Sequence, residues 1–285
     1  MYGGIEAGGT KFVCAVSDEG VIVEKISIPT TAPEETLKQV FDFFDQYELE
    51  AMGIGSFGPI GIDKSTDSYG YVLATPKKGW TNYNFLGSIK DHYDIPVAWT
   101  TDVNAAAYGE LLKGAAIGKK SCIYLTVGTG AGVVIDGNIF SGIAHPEMGH
   151  IWVKRHPDDT YEGTCPYHKD CLEGLAAGPS IEARTGIKGQ DLPQDHPVWD
   201  MQAFYIAQAL VNYTLTLAPE KIILGGGVMN QDHLLHKIRQ QFVELMGGYM
   251  ETPPVSEYIV RWGLPNESGI IGSLLLAEHE LAQTK

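Results

Sequence analysis

The sequence predicts an α/β fold in which one structural unit is built twice. Two observations carry this. Short apolar runs bounded by glycine turns alternate with longer runs of helical periodicity along the 285 residues. In addition, residues 122–141 repeat the organisation of residues 3–22: an apolar strand, a Gly/Thr turn, a second apolar strand, an acidic-Gly turn and a third strand. A chain of this length can bury a large core in one or two domains.

In chain order, residues 2–16 read as a strand, a Gly-rich turn and a second strand. Residues 17–20 (SDEG) make a hairpin turn, and 21–28 a third strand. The turn Gly8-Gly9-Thr10-Lys11 lets backbone N–H groups approach an anion beside a hydroxyl and an ammonium, or it is an ordinary hairpin turn. Residues 33–49 read as a helix, with Pro33 and two glutamates in its first turn and Leu37, Val40, Phe41 and Phe44 as its apolar stripe. Residues 51–62 form an apolar strand leading into Gly58-Pro59. Residues 75–85 are a loop whose Trp80 is either a surface staple or a stacking wall for a sugar. A short helix over 85–93, a strand over 95–102 and an Ala-rich helix over 103–116 follow. Asp102, at this strand-to-helix junction, is either an N-cap or a general base at the carboxyl edge of an open sheet, where such folds bind ligands. Asn104 is placed to orient a hydroxyl.

In the second copy, Thr126 and the turn Gly128-Thr129-Gly130 stand where Gly8-Gly9-Thr10 stands in the first. Two such turns in matched contexts are expected to face each other across a cleft and hold phosphate. Residues 175–186 begin a helical region, 201–219 form a long helix stopped by Pro219, and 221–229 a buried strand running into Gly225-Gly226-Gly227. Three glycines let a planar group approach the backbone, or serve a loop that needs positive φ. A helix over 233–250, a strand over 258–264 and a last helix over 268–283 complete the chain.

Residues 145–174 hold a candidate metal centre. His156, Cys165, His168 and Cys171 are spaced His-x8-Cys-x2-His-x2-Cys. Mixed Cys2His2 donors suit zinc, and four protein ligands close the coordination sphere, so the metal is expected to be structural. Glu147, His150 and Glu173 flank the cluster; a loop held by metal would fix them facing a substrate.

Composition bounds the partners. A net charge of −15 with no basic patch argues against nucleic acid. It also means that an anionic ligand must be held by backbone N–H groups, helix ends or Mg²⁺. No signal-peptide pattern opens the sequence and no apolar run reaches membrane-spanning length. Cys14 and Cys122 lie in apolar runs and read as buried, reduced thiols, so the cytoplasm is the expected compartment.

The segments LTVGTGAGVVIDGNIFSGIAHPEMGH (125–150), AGGTK (7–11), SFGPIG (56–61), Asp102 with VNAAAYGE (103–110), CPYHKDCLEG (165–174) and LGGGV (224–228) occur in this order. Together they resemble the ROK sugar kinases, and among these the bacterial zinc-containing fructokinases, over essentially the full length. The resemblance implies an actin-like ATPase (ribonuclease H-like) fold. Its two α/β domains would be 1–112 and 113–267 around a cleft, with the zinc loop at 156–171 and the last helix, 268–285, returning to the first. It implies transfer of the γ-phosphate of ATP, with Mg²⁺, to a hexose hydroxyl, fructose giving fructose 6-phosphate, by a homodimer. By motif position Asp102 is the base; Asn104, Glu147, His150 and Glu173 bind the sugar. Gly8 to Lys11 and Thr126 to Gly130 are the phosphate turns, Gly225 to Gly227 the nucleoside turn, and His156, Cys165, His168 and Cys171 the zinc ligands. Two positions depart from the family pattern: Thr101 stands where many relatives have Asn, and Glu6 where the first phosphate motif begins with Asp.

Other readings remain. The sugar is mannose, glucose or an N-acetylhexosamine; or the chain is a sugar-responsive ROK regulator; or it is a non-catalytic sugar-binding or actin-like structural protein. A regulator is expected to carry an N-terminal helix-turn-helix, for which a phosphate turn beginning at residue 7 leaves no room. The intact Asp102 and phosphate turns weigh against the non-catalytic reading.

Overall fold

A computed structural model describes residues 1–127 and 130–284. The chain divides into two compact units: Met1–Gly114, Ile139–His145 and Leu264–Lys285 form the first, Ala115–Asn138 and Pro146–Gly263 the second.

The first unit carries strands β1 (Tyr2–Ala7), β2 (Lys11–Asp18), β3 (Val21–Pro29), β4 (Ala51–Ser56), β5 (Tyr71–Val72), β6 (Tyr83–Asn84) and β7 (Val97–Thr101), and helices α1 (Pro33–Phe44), α2 (Phe85–His92) and α3 (Asp102–Lys113). Strands β8 (Cys122–Thr126), β9 (Gly130–Ile135) and β10 (Asn138–Ile139) open the second sheet, which β11 (Ile222–Gly225) and β12 (Ile259–Arg261) complete. Helices α4 (Leu172–Ala176), α5 (Gly178–Thr185), α6 (Val198–Leu217), α7 (Asp232–Met246) and α8 (Val255–Tyr258) belong to the second unit. The last helix, α9 (Ser268–Thr284), belongs to the first.

The duplication is visible in the sheets. The first runs β3-β2-β1-β4-β7 and the second β10-β9-β8-β11-β12. In each, an antiparallel pair continues into two parallel strands. This is the repeated arrangement of the actin-like ATPase fold. The central β4, AMGIGS, is buried along its whole length, as expected of a parallel strand covered on both faces. Its glycines admit neighbouring backbone: a Cβ at Gly53 would lie 1.9 Å from the Ser273 carbonyl of α9, and one at Gly55 would lie 3.3 Å from the Cα of Asp102.

Several boundaries differ from the sequence reading for physical reasons. Helix α1 stops at Phe44, before residue 49, because the Glu50 N–H bonds the Met1 carbonyl and the chain must turn to reach it. The strand expected over 51–62 ends at Ser56, ahead of a cis Gly58-Pro59 bond. Trp80 is neither a staple nor a stacking wall. It is fully buried among Phe12, Phe57, Tyr83 and Phe85, with its indole N–H donated to the Thr31 carbonyl at 2.7 Å.

Candidate active site and metal centre

The first unit places three functional elements at the carboxyl ends of adjacent parallel strands. Register pairs Ala7 of β1 with Ser56 of β4, and Ser56 with Thr101 of β7. The Gly8–Lys11 turn, the Phe57-Gly58-Pro59 segment and Asp102 therefore leave the sheet at one edge, where open α/β sheets bind ligands. The turn is tight: the Gly8 N–H donates to the Lys11 carbonyl at 3.0 Å, and the Thr30 hydroxyl donates to the Gly8 carbonyl at 2.8 Å.

Asp102 is the first residue of α3, and the capping role falls to its neighbour. The Thr101 side chain accepts the Asn104 N–H at 3.2 Å. Thr101 is thus buried and occupied as the N-cap, while Asp102 Oδ1 accepts the Val103 N–H at 2.8 Å. Burial pushes the Asp102 carboxyl up to about 7; the Val103 N–H opposes this, the charge on Glu6 adds to it, and His145 opposes it. A carboxyl so placed is a competent general base near neutral pH.

His145 escaped the sequence reading. It is buried, it belongs to the first unit through the segment Ile139–His145, and its Nε2 lies 3.4 Å from where a Cβ of Gly58 would be. The segment's position in the fold, which no local pattern encodes, brings it to the Asp102 edge. Asn104 is 1% exposed and its amide nitrogen donates to the Thr100 hydroxyl at 3.1 Å, which braces the β7–α3 junction from inside. Glu6, one methylene longer than the family's aspartate, extends to the start of α9: its carboxylate accepts the Ile270 N–H and lies where a Cβ on Gly269 would be.

In the second unit, Thr126 at the end of β8 pairs with Gly225 at the end of β11. The Val127 N–H donates to the Gly225 carbonyl at 3.1 Å, and Gly226 has φ 83°, where a Cβ would lie 2.9 Å from the Thr126 methyl. The expected nucleoside turn and the base of the second phosphate turn are therefore neighbours. Gly128 and Thr129 lie outside the described residues; Gly130 opens β9.

The candidate metal centre gathers His150, Cys165, His168 and Cys171, whose donor atoms all lie within 4.8 Å of one another. His150 takes the place expected for His156. The isolated bridge between Trp152 and Cys171 draws the turn Met148–His150 against the cysteines. The Tyr213 hydroxyl fixes that turn by donating to the Met148 carbonyl at 2.6 Å. His156 lies further on: its backbone N–H donates to the Tyr205 hydroxyl, its Nδ1 accepts the Asp158 N–H, and its ring packs edge-on to Phe204. Linear spacing favours the nearer histidine; the bridge reverses the choice. His150 Nδ1 stands 3.6 Å from both Cys165 Sγ and Cys171 Sγ, and Cys165 Sγ is 3.9 Å from His168 Nδ1. Zinc–sulfur bonds of about 2.3 Å and zinc–nitrogen bonds of about 2.0 Å give a tetrahedron with S···N edges of about 3.5 Å, so the donor set fits that ion.

Glu173 lies one residue beyond Leu172 in α4, with Oε2 3.6 Å from His150 Nε2. Glu147, exposed at the start of the Met148–His150 turn, shares its field: burial raises the Glu173 carboxyl, His150 opposes this and Glu147 adds to it.

Residues 2–280 match the family model described as the ROK family. A fructokinase of Pediococcus pentosaceus is 52% identical over 284 aligned residues, spanning 99% of either chain. Among solved structures, the ROK hexokinase of Thermus thermophilus is similar with a TM-score of 0.83 at 25% identity, covering 99% of both chains. The ROK family glucokinase of Streptomyces griseus, in complex with glucose and AMPPNP, gives 0.76 at 25% identity over 98% of this chain and 99% of that one. With a family match over almost its whole length and a full-length relative sharing half its residues, this chain belongs to the ROK family.

Proposed function

We propose that this chain is an ATP-dependent hexose kinase that converts fructose to fructose 6-phosphate, with MgATP as the phosphoryl donor. The observation that carries the reaction class is Asp102: a carboxyl relieved of capping by Thr101, raised to about 7 by burial, at the same sheet edge as a phosphate-binding turn. Phosphoryl transfer asks for positioning and charge neutralisation more than covalent chemistry. Asp102 accepts the proton of the attacking sugar hydroxyl, and the N–H groups of the Gly8–Lys11 turn take phosphate oxygens. Thr126 to Gly130 and Gly225 to Gly227 serve the nucleotide, and Glu147 and Glu173 accept hydrogen bonds from sugar hydroxyls. The choice of fructose rests on the fructokinase relative.

Zinc bound by His150, Cys165, His168 and Cys171 would supply a structural cross-link and no reaction step. Its consequence for the site lies in His150, whose other nitrogen faces Glu173. No described helix is long and apolar enough to cross a membrane. As in the family generally, the working form is a homodimer.

A coupled ADP-release assay with MgATP across fructose, mannose, glucose and N-acetylhexosamines tests the proposal. The expected result is turnover with kcat/KM highest for fructose. Highest turnover with another hexose would overturn the sugar, and no sugar-dependent ADP release would overturn the activity.

A further inference from the structure

A lysine outside the phosphate turn lies directly against it. Lys77, in the loop after β5, passes over Gly9: its Cε is 2.8 Å and its Nζ 3.3 Å from where a Cβ of Gly9 would be. Any side chain at residue 9 would displace it. Lys77 is half-buried, and among the described residues its ammonium has no hydrogen-bond or ion-pair partner. Glu35 lines the same shallow groove with Thr30 and Thr31 but forms no ion pair with it. A half-buried, unpaired cation is costly in a chain of net charge −15, which offers carboxylates in plenty. The turn beneath it also has unused donors. The Gly8 N–H is taken by the Lys11 carbonyl, whereas those of Gly9 and Thr10 have no partner among the described residues. One short turn thus carries two amides without a partner among the described residues and the Thr10 hydroxyl, with an ammonium lying against it, a donor set that suits a phosphoryl group.

The loop holds the lysine there by its own structure. The Trp80 N–H donates to the Lys77 carbonyl, the Lys77 N–H to the Thr75 hydroxyl, and the Thr81 hydroxyl to the Thr75 carbonyl. The buried Trp80 indole, bonded to Thr31, ties this loop to the core. Lys77 thus stands on a braced loop.

We propose that Lys77 binds the terminal phosphate of the nucleoside triphosphate and neutralises the phosphoryl group as it transfers, so that it acts as a catalytic residue of the reaction. This rests on the kinase reading for its catalytic part, while its binding part can be measured without any sugar. Affinities of wild type and Lys77→Met for AMPPNP and for ADP, each with Mg²⁺, test it by calorimetry. The expected result is a loss of at least about tenfold for AMPPNP with ADP changed by less than about twofold, since only the former carries the terminal phosphate. In turnover, Lys77→Met should lower kcat by about 10²-fold with the sugar KM little moved, and Lys77→Arg should restore part of it. Equal effects on both nucleotides, or none on AMPPNP, would overturn the inference. Selective loss of AMPPNP affinity in a protein that phosphorylates no hexose would sustain it and overturn the sugar-kinase reading.

Discussion

His150 turns its two ring nitrogens to two different tasks: Nδ1 lies 3.6 Å from each of Cys165 Sγ and Cys171 Sγ, while Nε2 lies 3.6 Å from Glu173 Oε2. A metal ligand whose second nitrogen meets a carboxylate has its tautomer and ring plane fixed, and holds that carboxylate in turn. Removing a metal held there should therefore reach the proposed sugar site through Glu173. His150→Ala or Cys171→Ser is expected to lower the zinc content from near one per chain towards none and to raise the fructose KM. His156→Ala is expected to keep full zinc, because His156 is bonded to Tyr205 and Asp158 and stands outside the cluster. Elemental analysis of the three variants checks this; loss of zinc in His156→Ala alone would reverse the ligand assignment.

If Asp102 is the base as proposed, its carboxyl should govern the acid limb of the rate. Only its deprotonated form accepts a proton, and burial holds it near 7, so kcat/KM should fall about tenfold per pH unit well below that value. Two of its neighbours act on it in opposite directions. Glu6 raises the Asp102 carboxyl and His145 lowers it, so Glu6→Gln should move the acid limb to lower pH and His145→Leu to higher pH. Asp102→Asn should reduce kcat by roughly 10²–10⁴ with the fold retained. A pH profile for each variant separates these effects, and a near-normal kcat in Asp102→Asn would remove it from the role of base.

Much of the fold could be read from the chain because both of its signals are local. The duplication survives as two sheets of identical strand order, since the strand–turn–strand pattern over 3–22 and 122–141 specifies hairpins by itself. The strand-end position of Asp102 was equally legible. What the sequence did not disclose depends on pairings between distant residues. Thr101 stood out only as a departure from the family's Asn, yet it is the N-cap of α3 beside Asp102. Trp80, in a polar Gly-rich loop, reads as exposed, yet Phe12 and Phe85 from separate strands and helices enclose it. His150 displaced His156 because a single bridge between Trp152 and Cys171 overrides the shorter spacing.

His233 carries a pH dependence of stability. Both of its ring nitrogens are buried without a hydrogen-bond partner among the described residues, and the ring stands edge-on to Trp199 at 5.0 Å. Burial lowers its basicity, Lys237 adds to this and Asp232 opposes it. The folded state therefore prefers neutral imidazole, and between the folded value and the ordinary one of about 6.5 the unfolded chain binds more protons. Stability contributed here is complete above about pH 6.5 and declines as pH falls through that window. His233→Phe should flatten the fall in Tm between about pH 7 and 5; an unchanged slope would exclude His233 as its source.

The loop between Trp152 and Cys165 is held by a buried ion pair. Arg184 donates to Asp159 through Nε and Nη2, the closest contact being 2.8 Å, and both side chains are almost wholly buried at 7% and 3% exposure. The Tyr205 hydroxyl completes the carboxylate at 2.6 Å while accepting the His156 N–H. Arg184→Met would strand Asp159 as a buried, uncompensated charge at a cost of about 3–5 kcal/mol. Thermal unfolding should show a Tm lower by roughly 10 °C, whereas zinc should stay bound, since no ligand belongs to this network. Zinc loss at temperatures where the protein is folded would show that the network also holds the metal loop closed.

Helix α9 closes against α3 through two glycines, and this contact bears on Asp102. A Cβ on Gly272 would fall 1.7 Å from the Ala105 carbonyl, and one on Gly109 would fall 2.4 Å from the Ser268 carbonyl. Neither obstacle is a flexible side chain, so the helices would have to separate. Because α3 begins at Asp102, separation would displace the base as well as open the core. Gly272→Ala should cost about 1–3 kcal/mol by overpacking, and kcat should fall more than stability alone explains when both are measured well below Tm. Lower Tm with unchanged kcat would mean that the β7–α3 junction holds Asp102 independently, through the Thr101 cap and the Asn104–Thr100 bond.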